Sequence, residues 1–240
     1  MDKKINKRME ESVKRFSKRV SKVSDSPKEL DSDFMELLKE PVLNLHERKI
    51  GKYEIVVDIV PAGKELTVVS ARNWIMMGYK MLKIKYENHR PLFKLIKDGH
   101  GLLMSDSPQE MFLQYDAYKN SNGKVLVGGL GLGLYANMIA KKDNVTEVVV
   151  IEKDSDVIKL IRPFIKGEKI RVINDDIPKF IKETKESFDY VYIDIHYSTG
   201  ATEYKYTVLP LRKMLDEKFP RVKSDFWGEE EMKTQYFNIC

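Results

Sequence analysis

The run "KVLVGGLGLGLYANMIA", residues 124–140, constrains the fold more than any other stretch of the chain. Four of the 13 glycines fall at Gly128, Gly129, Gly131 and Gly133, after a β-type apolar run and before residues that suit a helix. Glycine lets the backbone turn sharply and lets a ligand lie against it beside a helix N-terminus, whose free N–H groups carry partial positive charge. The sequence places the start of that helix at about Leu132. Three more short runs follow, "EVVVIE", "IRVIN" and "FDYVYID", each nearly continuous in apolar residues and separated by helical segments. Strands of that kind belong to a parallel sheet buried on both faces, so the expected class is α/β with a Rossmann-like, mostly parallel sheet.

Acids stand at the ends of these runs. Glu152 closes the second run, where a carboxylate can accept both hydroxyl protons of a ribose. Asp176 follows the third, placed to accept from an adenine amino group, and Asp194 closes the fourth. In an open α/β sheet ligands bind at the carboxyl edge, and all three acids belong to that edge. Together with the glycine loop they point to a nucleoside-binding site. Each acid alone reads equally well as a solvated strand end.

The rest of the chain divides by composition. Residues 1–23 hold nine Lys or Arg against three acids, while the full chain has 42 basic and 37 acidic residues and a formal charge of +5. The basic excess is therefore a property of the N-terminus, and the core has no nucleic-acid footprint by charge. Met9, Val13, Phe16, Val20 and Val23 form a narrow helical stripe that can pack on its own domain or on a second subunit. A basic arm for RNA or a membrane surface is the other reading. "SPKELDSDFMELLKEP" reads as a capped helix ended by Pro41. Residues 53–104 read as a small antiparallel β region, and "SPQE" at 107–110 reads as a capping box that opens a further helix. The expected divisions are a basic helical segment over 1–45, the β region over 46–105 and the nucleoside-binding domain over 106–240. The single cysteine, Cys240, gives no disulfide framework or cysteine zinc site, and no metal spacing is present. No window is long and apolar enough for a membrane span, and the start is not a secretory signal. A cytoplasmic protein is expected.

The run "VLVGGLGLG…VVVIEKD…INDDIPKF…FDYVYIDIH" resembles the first four motifs of the class I S-adenosylmethionine-dependent methyltransferase fold, in the branch shared with spermidine synthases. "GLLMSDSPQEM" also resembles a segment of small methyltransferase-like proteins of phages and bacteria. The resemblance covers roughly residues 100–200. It implies that Gly129, Gly131 and Gly133 line the methionine part of S-adenosylmethionine, that Glu152 binds its ribose and Asp176 its adenine, and that Asp194 is the catalytic acid. Some departures weaken aminopropyl transfer. Leu132 stands where spermidine synthases carry an acid within the loop, and "IHYSTG" after Asp194 supplies no second acid, whereas a decarboxylated, amine-ended donor needs carboxylates. With 46 residues after Asp194, a shortened sheet is expected.

The reading that follows is methyl transfer from S-adenosylmethionine to an acceptor of unknown type, small molecule or macromolecule. Asp194 acts as base there, and His196 or Tyr197 shapes the acceptor pocket. Spermidine-synthase-like aminopropyl transfer is the alternative, and a non-catalytic binding module is a further one. A nicotinamide oxidoreductase is the rival from a different register, since "GLGLYA" satisfies G-x-G-x-x-A. The residues after Asp194 are not the Asn-Pro-Pro-Tyr type typical of base-nitrogen methylation.

Overall fold

The computed structural model describes residues 32–69, 81–165 and 167–239. The N-terminal stripe from Met9 to Val23, with the self-association or polyanion contacts expected of it, lies outside the described residues. So does the start of the helix expected from Ser26. Its remainder, α1 (Ser32–Lys39), buries Phe34 and Leu38 and ends before Pro41.

A four-stranded antiparallel sheet follows, in the order β1 (Arg48–Ile50), β2 (Tyr53–Val60), β5 (Arg90–Lys97) and β6 (Gly101–Ser105). A separate antiparallel pair is formed by β3 (Glu65–Val69) and β4 (Met81–Lys85). α2 (Pro108–Asn120) then leads into the α/β unit, capped by Ser107, whose side chain accepts from the Glu110 N–H. The expected capping box is only half made: the Glu110 carboxylate accepts from Gln114 in the next turn instead of returning to the cap.

The α/β unit carries β7 (Gly123–Gly128), α3 (Leu134–Ala140), β8 (Val145–Glu152), α4 (Ser155–Ile161), β9 (Ile170–Asn174), α5 (Ile177–Glu183) and β10 (Tyr190–Ile193). After β10 come α6 (Ala201–Glu203), a π-helical segment (Tyr204–Val208), α7 (Leu209–Lys218), β11 (Lys223–Phe226) and α8 (Glu229–Ile239). Its sheet is parallel throughout, with strand order β11-β10-β7-β8-β9. Successive side chains of a strand point to opposite faces. Accordingly Val125, Val127, Val148 and Val150 enter one core with Met111, Tyr115, Leu134 and Met138, while Leu126, Val149, Val191 and Ile193 enter a second with Phe180, Leu211 and Leu215. Burial on both faces is why these strands read as unbroken apolar runs.

Two details differ from the sequence reading. α3 begins at Leu134, two residues later than expected, because Gly131 and Gly133 both take positive φ and Gly133 is the N-cap. The sheet also has a fifth strand, β11, from "KSDF", a segment without an apolar run. β11 is an edge strand with one neighbour, so it needs fewer apolar residues than the central strands.

Candidate functional site

Parallel register aligns the strand ends: Ile193 pairs with Gly128 and with Phe226, Gly128 with Ile151, and Glu152 with Asn174. The edge therefore presents, in order, Trp227, Asp194, the glycine loop, Glu152 and Asp176. The Asp194 N–H donates to the Gly128 carbonyl and the Gly129 N–H to the Ile151 carbonyl, both at 2.8 Å. Gly129 has φ +96°, and a Cβ there would collide with the Asp194 carbonyl oxygen, which is backbone and cannot swing away. Gly129→Ala is therefore expected to displace the 194–197 segment and cost roughly 1–3 kcal/mol of stability, measurable by denaturant unfolding. The leucines between the glycines, Leu130 and Leu132, and Leu134 just after them are buried in the core and anchor the loop from beneath.

Glu152 is bound to this loop directly. One carboxylate oxygen accepts from the Leu130 N–H at 2.9 Å and the other from the Asp154 N–H at 2.8 Å. Burial raises its pKa above the ordinary carboxylate value, against the lowering pull of those backbone donors. Asp176 lies one strand further out as N-cap of α5, half exposed, 3.5 Å from Lys153 Nζ. The structure thus joins the glycine loop, Glu152 and Asp194 closely, and sets Asp176 at the far end of the row.

Asp194 sits in a different environment. The residue keeps some solvent contact, but its carboxyl lies in low-dielectric space beside Glu110 and Gln114. Burial and then the Glu110 charge push it well above the carboxylate range, opposed by a hydrogen bond from Gln114. Glu110 is itself raised to about 7, by burial first, with Gln114 and Trp227 opposing. Gln114 Nε2 donates to Glu110 Oε1 at 3.2 Å, and the same side chain lies beside Asp194. Around this pair, Gln114 Oε1, Tyr192 Oη and His196 Nε2 are buried without a hydrogen-bond partner. Buried polar atoms normally have partners, and three unpaired ones between α2 and the β10 segment suit a polar ligand.

Glu110 and Gln114 were not among the candidates drawn from the sequence, because Glu110 fits a capping box. The available signal was their i,i+4 spacing on a largely apolar helix. Of the two proposed pocket residues, His196 is half-buried with its pKa lowered by burial, and its ring stacks on Phe226 at 6.5 Å. Tyr197 is 61% exposed and turns outward, toward Lys97 and His100.

The antiparallel sheet covers the loop. Met104 of β6 accepts the Leu132 N–H through its sulfur at 3.0 Å, and a Cβ on Gly131 would strike that sulfur. The three glycines let the loop pack closely against Asp194, Met104 and Ile165, and the carboxylate at its rim with the unpaired polar atoms beyond suits an adenosyl ligand with a polar chain. Among the described residues no group of His, Cys, Asp or Glu could hold a metal ion, and no helix is long and apolar enough to cross a membrane.

Comparison with known proteins then bears on the chemistry. Residues 107–218 match the spermine/spermidine synthase domain family. The chain is 26% identical over 142 residues to a polyamine aminopropyltransferase of Sulfurisphaera tokodaii, over 49% of this chain and 47% of that protein. The chain thus spans about half the length of the curated relative it matches. Among solved structures, spermidine synthase from Thermotoga maritima gives a TM-score of 0.40 at 15% identity, over 72% of this chain and 69% of that one. A dimethyladenosine transferase from Plasmodium falciparum gives 0.36 at 23% identity, over 50% of this chain and 41% of that one. The domain match and the curated relative correct the expectation of a methyltransferase using S-adenosylmethionine as methyl donor. That expectation rested on missing carboxylates, at Leu132 and after Asp194. The physical reason for the error is that a second carboxylate comes from α2, as Glu110, and not from the loop.

Proposed function

We propose that this chain transfers an aminopropyl group from decarboxylated S-adenosylmethionine to an amine, as a cytoplasmic enzyme. The observation that carries the reading is the placing of the Glu110 and Asp194 carboxyls side by side, with Gln114 next to both, within the segment matched by the synthase family. Amines of the alkyl type are protonated at neutral pH, with pKa near 10, so an acceptor must shed a proton before its nitrogen can attack. The acceptor's ammonium favours the ionised form of both carboxyls as it enters, and Asp194, once ionised, takes the proton. The freed nitrogen lone pair forms a bond to the terminal carbon of the aminopropyl chain. The carbon–sulfur bond breaks with its electrons going to sulfur, and the by-product is the neutral thioether methylthioadenosine.

The other residues hold the donor. Gly129, Gly131 and Gly133 let its chain lie on the backbone, Glu152 accepts from the ribose hydroxyls and Asp176 accepts from the adenine amino group. The enzyme contributes alignment of nitrogen, carbon and sulfur as well as proton removal. Calorimetric titration with decarboxylated S-adenosylmethionine, S-adenosylmethionine and S-adenosylhomocysteine tests this. The decarboxylated form should bind most tightly, because a carboxylate on the donor chain would face Asp194 and Glu110. Preference for the carboxylated forms would defeat the proposal.

A further inference from the structure

Lys97 belongs to the antiparallel sheet whose Met104 meets the glycine loop. It is the last residue of β5, and its ammonium lies 3.3 Å from Tyr197 Oη. It sits over the Tyr197 ring at 4.8 Å and the Tyr53 ring at 5.7 Å. Tyr53 donates to Asp154, just past the end of β8, at 2.6 Å, while Tyr197 belongs to the segment leaving β10 through Asp194. Lys97 thus spans between a residue tied to the end of β8 and one on the segment that leaves β10, the strands on either side of β7.

Charge matching sets Lys97 apart from its neighbours. Lys49 pairs with Asp98 at 3.0 Å, Lys52 with Asp154 at 3.6 Å, and Lys94 with Asp58. Lys97 forms no ion pair with a carboxylate among the described residues. Aromatic faces and a phenol steady its stem and ammonium without neutralising them. The covering sheet thus offers an uncompensated cation, while the strand edge beneath it offers two carboxyls.

We infer that Lys97 receives an anionic group, carboxylate or phosphate, on the acceptor, so that the acceptor is an amino acid or an aminoalkyl phosphate and not a plain diamine. This rests on the aminopropyl-transfer reading. The acceptor ammonium goes to Asp194 and Glu110, and its anionic end to Lys97. A diamine would bring its second ammonium against a like charge, so the same lysine also rejects. Tyr197 follows Asp194 by three residues, so their backbones are separated by roughly 10 Å at most, within reach of a short extended acceptor and two long side chains.

The test uses matched acceptors with decarboxylated S-adenosylmethionine: 1,4-diaminobutane against ornithine, which adds a carboxylate, and 3-aminopropyl phosphate against 1,3-diaminopropane. Methylthioadenosine release should favour the anionic member of each pair by about tenfold or more in kcat/KM. Lys97→Gln should remove the preference and Lys97→Arg should keep most of it. Which anionic acceptor is better separates carboxylate from phosphate. A wild-type preference for the diamines, or a ratio unchanged in Lys97→Gln, overturns the inference. If no acceptor yields methylthioadenosine, the aminopropyl reading fails. The lysine is then judged by titrating the same four amines without donor: tighter binding of the anionic pair, lost in Lys97→Gln, supports it, and equal affinities overturn it. Tighter binding of S-adenosylmethionine than of its decarboxylated form, abolished in Lys97→Gln, would assign Lys97 to the donor and also overturn the inference.

Discussion

Asp194→Asn is expected to lower turnover by about 10²- to 10⁴-fold while leaving donor affinity nearly unchanged. The amide has the size of the carboxyl and still meets Gln114, but it cannot take a proton from the acceptor. The backbone N–H to the Gly128 carbonyl, which places the 194–197 segment against the loop, is not altered. The loss should therefore appear in kcat, read from single-turnover kinetics alongside a donor titration. Full turnover in this variant would remove Asp194 from the proton path. Rescue at high pH, where more free amine is present, would support a proton-acceptor role over a purely structural one.

Glu110→Gln is expected to act in opposite directions on stability and activity. The folded pKa of Glu110 is raised from 4.5 to about 7, chiefly by burial. Between those values the folded chain keeps a proton that the unfolded chain has released. Stability present below about pH 4.5 is therefore lost as pH rises toward 7, and is level beyond it. The shift corresponds to a loss on the order of 3 kcal/mol by pH 8. Glutamine has no charge to desolvate, so the variant should melt several degrees above wild type at pH 8 and close to it at pH 4.5. Removal of the Glu110 charge also brings the Asp194 pKa down. Acceptor capture should nonetheless weaken, because one of the two carboxyls facing the ammonium is gone. Melting curves across pH 4–8 and the acceptor KM check both halves. A variant less stable than wild type at pH 8 would contradict the burial argument.

What the sequence disclosed follows from how each element is buried. The four central strands were readable because both faces of a parallel sheet are covered, so "VLVG", "VVVIE" and their counterparts carry no alternation. Their terminal acids, Glu152 and Asp194, were readable because strand ends are fixed by the same runs. The fifth strand was hidden because an edge strand such as "KSDF" is polar. Leu132 pointed away from a second carboxyl: its buried side chain packs the loop, while the carboxyl beside Asp194 comes from the preceding helix, α2. Glu110 illustrates the general difficulty, since a local capping rule accounted for it fully and only tertiary packing brings it to Asp194. The cover supplied by Lys97, Tyr53 and Met104 was equally illegible, because these residues come from strands of a different sheet.

The central claim is the identity of the group transferred. Wild-type protein incubated with a mixture of amino acids, aminoalkyl phosphates and diamines, together with either decarboxylated or intact S-adenosylmethionine, can be analysed by mass spectrometry for the nucleoside released. The account expects methylthioadenosine from the decarboxylated donor, with an aminopropyl adduct on one acceptor, and no S-adenosylhomocysteine from the intact donor. S-adenosylhomocysteine with a methylated acceptor, and no methylthioadenosine, would contradict it.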